Sequence, residues 1–319
     1  MKFRTEIEIA PFAARIGYEN RILALGSCFC EHIAARLAQA KFHVTANPTG
    51  LLFNPLSIAA ALRDSPLPVR REELTDNGEQ WFHYGFHGDF SAPTAEEALE
   101  RMNAARQAGA EALRTADRVL LTFGTAWVYE HDGETVANCH RQPADEFVRR
   151  RLSVAEIIGT FAELLEGPLS GRTIILTVSP VRHPGDGLAG NAASKATLRL
   201  AAEELAERFG CVSYFPAFEI LLDDLRDYRF YADDLVHPAP QAVEYVWEKF
   251  VQAALAPEAQ ALLPEVEGIV AAAAHRPRNP QGEAHRAFCR RMLERIAALP
   301  TPDFRTEAEY FRRCIEINS

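Results

Sequence analysis

The sequence predicts an α/β protein built on a doubly wound parallel sheet, and three observations carry that prediction. Short apolar runs bounded by Gly, Pro or Asn alternate with longer stretches of helical period. Three of those runs are nearly continuous in apolar residues, the signature of strands covered on both faces. Strict alternation of strand and helix joins parallel neighbours through crossover helices. At 319 residues the chain suffices for one large domain with an appendage.

The strands are expected at "RILALG" (21–26), "FHVTA" (42–46), "RVLLTFG" (118–124), "TIILTVS" (173–179) and "CVSYF" (211–215). Each is short and ends at a Gly, Asn, Ser or Pro turn. Helical periodicity covers 30–40, 57–63, 94–115, 154–165 and 192–209, with a last helix over 241–253. Two insertions break the rhythm. The stretch 75–90, rich in Gly and aromatics, reads as a hairpin or a loop packed over the sheet edge. In 127–140, Asp132-Gly133 between two short runs is a strong hairpin signal. Both are placed at the edge of the sheet where ligands bind. The division is therefore a domain over 1–255 and a helical C-terminal extension over 256–319, packed on it, with Phe288, Met292, Leu293, Ile296 and Leu299 at helical spacing.

Composition excludes several classes. The 48% apolar and 24% charged residues are those of an ordinary globular chain. A formal net charge of −10 with no basic stripe argues against nucleic acid as partner. No run approaches the roughly 18 apolar residues that span a bilayer, so no membrane partner is expected. The N-terminus has scattered charges and no apolar segment, so no signal peptide is expected and the location reads as cytoplasmic. Six dispersed cysteines then read as thiols. Cys28-x-Cys30 and Cys139-His140 assemble into a metal site only by force, and no metal is expected. His83 and His87 are four apart, but the intervening glycine disfavours a helical metal pair. Oligomeric state is not legible.

The chemistry gathers at strand ends. Gly26-Ser27-Cys28 turns from the first strand directly into helix-forming sequence and offers two nucleophiles. "ANPTG" follows the second strand and ends at Gly50, and "GTAW" follows the third. Asp234-x-x-His237 stands just ahead of the last helix. A catalytic imidazole needs a carboxylate to fix its tautomer, and a spacing of three on one turn delivers both groups to one mouth. The same residues also read as a helix-initiating turn, with Pro238 marking the start. Asn191, Ser194 and Lys195 in "NAASK" read as a helix N-terminus able to cap itself or to hold an anion.

"LALGSCFCEHIAARL", "ANPTGLLFNPLSIA", "LTFGTAWVYE", "VANCHRQP", "TVSPVRH", "NAASKATL" and "LRDYRFYADDLVHP" together resemble the GSCFA-domain proteins, distant relatives of the SGNH (GDSL-type) hydrolases. The resemblance implies a three-layer α/β/α fold with a five-stranded sheet in the flavodoxin-like order. By fold-level analogy it also implies acyl-ester or acyl-transfer chemistry. Aligned without gaps, the Gly-Asp-Ser nucleophile turn puts Ser27 under the aspartate and Cys28 under the serine. The GSCFA label invites Ser27 instead, at the cost of a one-residue slip that turns the side chain by about 100°. Cys28 is favoured, a thiol at a helix N-terminus beside His237 being readily held as thiolate, and Ser27 stays the alternative. Gly50 takes the place of the oxyanion glycine, with Asn47 as a further donor. The asparagine of the third SGNH element is missing: Ala126 stands there. Thr125, Asn138, His140 and His183 are its candidate replacements.

The resulting expectation is an acyl-ester hydrolase acting through an acyl-enzyme on an O-acylated small molecule or carbohydrate. Cys28 or Ser27 attacks, His237 serves as base and then acid, and Asp234 orients it. No cofactor is required, although a coenzyme A-type donor fits if the reaction is transfer. A non-catalytic binding module is the rival.

Overall fold

The computed structural model describes residues 4–316. Five strands, β1 (Arg21–Gly26), β2 (His43–Ala46), β3 (Arg118–Phe123), β4 (Thr173–Val178) and β5 (Val212–Phe215), form one all-parallel sheet in the order β5-β4-β3-β1-β2. The connections are α1 (Cys28–Gln39), α2 (Pro55–Asp64), α3 (Ala95–Thr115), α4 (Val154–Glu166) and α5 (Gly187–Arg208), and α6 (Pro240–Ala254) follows β5.

Strand alternation explains the layering. On β1, Ile22 and Ala24 point into one core with Phe29, Ile33 and Leu37 of α1 and Val246, Trp247 and Phe250 of α6. Leu23 and Leu25 point the opposite way, with Ile58 and Leu62 of α2, Ile157 and Phe161 of α4 and Leu198 and Leu205 of α5. Both sheet faces are thus covered, the condition under which near-continuous apolar strands are stable. This is the three-layer α/β/α arrangement with the helical C-terminal region expected.

That C-terminal region comprises α7 (Pro257–Ala274), α8 (Glu283–Ala297) and α9 (Arg305–Glu316). Val266, Ile269, Cys289, Met292, Phe304 and Phe311 are buried in the same core as α1 and α6. Lys41, just after α1, grips both carboxylate oxygens of Glu307 at 2.9 Å. Among the described residues no helix is long and apolar enough to cross a membrane.

The Asp132-Gly133 hairpin forms between Trp127–His131 and Glu134–Val136, and positive φ at both turn residues (53° and 83°) suits a mirror-image turn. A third strand, Val148–Arg151, joins it, which the charged run "VRRR" did not announce. The 75–90 stretch makes a two-stranded ribbon, Thr75–Asp76 with Trp81–Phe82, followed by a loop over the sheet edge. Helix α5 begins at Gly187 rather than near Ala192.

Candidate active site

Gly26 closes β1 with φ +145°, and a Cβ there would sit 2.3 Å from the Thr122 carbonyl oxygen of β3, so the turn requires glycine. Ser27 is the N-cap residue of α1 and Cys28 its first helical residue. Their environments differ sharply. Ser27 is 1% exposed, and its hydroxyl has no hydrogen-bond partner among the described residues. Cys28 is partly exposed. The first side chain after the glycine is thus buried and the second partly exposed.

The thiol is not held as thiolate, and the expectation from the helix terminus needs correcting. Burial pushes the Cys28 pKa above the usual thiol value, outweighing the helix amides of Phe29 and Cys28 and the Lys195 ammonium, which all favour the anion; Glu31 raises it further. A base is needed to release the proton.

Asp234 and His237 are built for each other. Asp234 Oδ2 meets His237 Nδ1 at 2.7 Å, while Oδ1 accepts from the amides of Val236 and His237 at 2.9 and 3.0 Å. The amide and ring of His237, with the Val236 amide, hold the Asp234 carboxyl down at about 2. The loop is clamped by the Ala232 amide on the His237 carbonyl (2.8 Å) and the Arg182 amide on the Val236 carbonyl (3.1 Å). Leu235 takes the left-handed conformation, φ 57°, that this tight loop demands.

His32, one turn after Cys28 on the same face of α1, was quoted in the motif without being given a role. Crowding of its ring lowers its pKa, Glu31 counteracts this, and the His237 charge lowers it further. The His237 charge also acts on His183. Burial, then Lys195, holds its ring down at about 4, so it is neutral at pH 7. The Asn191 side chain accepts from the His183 amide at 3.0 Å and fixes the loop.

Lys195 and Ser194 are not at a helix N-terminus: α5 starts about two turns earlier. Lys195 is 1% exposed and donates to the carbonyls of Gly124 (2.6 Å) and Ser179 (2.7 Å), tying together the ends of β3 and β4. Burial lowers its pKa to about 7, opposed by Cys28 and Asp186. Ser194 Oγ accepts from the Ala126 amide at 2.7 Å and lies 3.1 Å from Thr125 Oγ1.

The oxyanion candidates separate. Gly50 has φ +89° because the His87 loop passes over it, a Cβ there lying 2.2 Å from His87 Cβ. Its amide, however, donates to the Asn47 carbonyl at 2.8 Å and is not offered to a ligand. Asn47 is better placed: Oδ1 accepts from the Gly26 amide at 2.9 Å, and the buried Nδ2 has no partner among the described residues. His140 is committed elsewhere, stacked on Phe82 (4.3 Å) with Nε2 3.0 Å from the His83 carbonyl oxygen.

Thr125, Asn138 and His183 line one cavity of about 360 Å³ above the sheet edge, walled by Phe53, Trp127 and Tyr129. Arg149 lies over the Trp127 ring at 4.2 Å and pairs with Asp186 at the rim. The aromatic wall and this ion pair had no signal in the sequence reading beyond the hairpin itself. Cys28, Cys30, Cys139 and His140 do not gather as metal ligands. Among the described residues the metal-type cluster of three or more His, Cys, Asp or Glu is His285, Cys289 and Cys314, in the C-terminal helices.

A parallel five-stranded α/β/α sheet, with a Gly-Ser-Cys turn after its first strand and a histidine–carboxylate loop before α6, defines a class of cleft-bearing α/β proteins. Within that class the chain belongs to the GSCFA family, whose match covers residues 21–250. The C-terminal domain of GSCFA domain proteins matches residues 266–317. No curated protein matches the chain.

Proposed function

We propose that the protein is an acyl-ester hydrolase, an SGNH-like enzyme with a cysteine nucleophile. The observation that carries this reading is the His237–Asp234 pair. Its Nδ1 is fixed by a carboxylate that two amides hold rigid, which leaves Nε2 to serve as the base. A turn made only to start a helix has no use for an oriented imidazole.

In this mechanism His237 Nε2 takes the Cys28 proton and the thiolate attacks the ester carbonyl. The Cys28 and Phe29 amides and Asn47 Nδ2 face the oxyanion. His237 then protonates the departing alcohol, leaving a thioester. Water attacks that thioester, giving its proton to His237, and the thiol is regenerated as the acid departs. The aromatic cavity, whose lining includes Thr125, Asn138 and His183 but not Cys28 or His237, would take the carbohydrate or similar part of an O-acylated substrate. Acyl transfer from a coenzyme A-type donor is the same chemistry with an alcohol replacing water. A thiol nucleophile also fits a reducing, cytoplasmic compartment.

Binding without turnover is the second reading, favoured by Ala126 in place of a donor asparagine and by the engaged Gly50 amide. A panel of p-nitrophenyl and thioester substrates separates the two. Cys28→Ala and His237→Ala should abolish turnover while Ser27→Ala retains most of it. Equal residual activity in all three variants would defeat the catalytic reading.

A further inference from the structure

We propose that His285, Cys289 and Cys314 bind a zinc ion that clips α8 to α9. His285 and Cys289 are four apart on α8 and share a face, and Cys314 reaches them from α9. One ligand atom from each lies within 4.8 Å of the others. His285 Nε2 is 3.6 Å from Cys289 Sγ. Zinc–sulfur and zinc–nitrogen bonds of about 2.3 and 2.0–2.1 Å at a tetrahedral angle separate two such atoms by about 3.6 Å. His285 and Cys289 are thus already spaced as ligands, and Cys314 lies within a short side-chain adjustment of that spacing.

The donor set selects the ion. Two thiolates and an imidazole suit zinc and similarly soft divalent ions, and not the all-oxygen preference of magnesium or calcium. Binding displaces both thiol protons to solvent, so the affinity should rise with pH. Cys289 is fully buried, the rings of Phe288 and Phe311 meet edge-to-face at 6.4 Å in the same core, and the Tyr310 side chain hydrogen-bonds with Cys314 as an outer support. Solvent supplies the fourth position, since His285 and Cys314 are partly exposed. The cluster lies in the C-terminal helices, so it stands or falls independently of the acyl chemistry. A disulfide between the two cysteines is the competing use of this geometry, but a disulfide needs no imidazole 3.6 Å from one sulfur.

The test uses the reduced full-length chain, stripped with a chelator and titrated first with Co²⁺ and then with Zn²⁺. One equivalent of Co²⁺ should give thiolate-to-metal charge-transfer absorption, which Zn²⁺ abolishes on displacing it. Excess Zn²⁺ should raise the Tm by about 5 °C. Cys289→Ser, Cys314→Ser and His285→Ala should each weaken binding by more than about 100-fold, whereas Cys139→Ser and Cys211→Ser should leave the spectrum unchanged. No charge-transfer band in the wild-type protein would overturn the proposal without reference to any variant. So would a band that survives loss of both cysteines, or a native Cys289–Cys314 disulfide in protein that binds no metal once reduced.

Discussion

Replacing Asp234 with asparagine isolates the tautomer argument. The asparagine oxygen can keep both amide hydrogen bonds that Oδ1 makes to Val236 and His237, so the loop should hold its shape. Its NH₂ then faces His237 Nδ1, which must become an acceptor, moving the imidazole proton to Nε2 where the base is needed. In a fully buried dyad this error costs about 10⁴-fold in kcat. Here the side chains are 44% and 49% exposed, so water competes for the ring and the expected loss is about 10²–10³-fold. The assay is steady-state hydrolysis of the best p-nitrophenyl ester, with Tm measured in parallel. The Tm should move by no more than about 2 °C, as for an exposed polar substitution. A folded Asp234→Asn enzyme within threefold of wild-type kcat would refute the orienting role.

Two stability predictions follow from the same frame. Gly26→Ala should destabilise by about 3–5 kcal/mol in urea titration, because the new Cβ meets the Thr122 backbone oxygen at 2.3 Å at a φ closed to side chains; a change under about 1 kcal/mol would show that the strand end yields. Burial holds His83 and His183 at about 4, against a usual imidazole value of about 6.5. Between those values the unfolded chain binds protons that the folded chain refuses. Stability should therefore fall as pH drops from about 6.5 to 4, by up to about 1.4 kcal/mol per pH unit for each histidine, and the two groups should contribute no slope above that window. His183→Gln should remove about half of the acid slope contributed by this pair, and an unchanged slope would contradict it.

Much of the fold was legible because burial on both sides of a parallel sheet forces continuous apolar strands. "RILALG" and "TIILTVS" could hardly be anything else. "VRRR" was not legible as a strand, since its pairing with Trp127–Glu130 is set by the hairpin and an edge strand needs no apolar face. At the site, the sequence left Ser27 and Cys28 as alternatives, and their burial differs because Ser27 caps α1 while Cys28 is its first helical residue. His32 was available as well, four residues after Cys28. Asn191, Ser194 and Lys195 read as a helix N-terminus, whereas the helix already begins at Gly187. The fate of Gly50 could not be read at all, because its amide partner is fixed by backbone geometry.

The most direct test of the central claim is the mass of the protein during turnover. After rapid mixing with p-nitrophenyl acetate and acid quenching, one acetyl group should be found per chain and mapped to Cys28. It should persist in Ser27→Ala, vanish in Cys28→Ala, and accumulate far more slowly in His237→Ala. An acetyl group on Ser27, or turnover with Cys28 never acylated, would contradict the account.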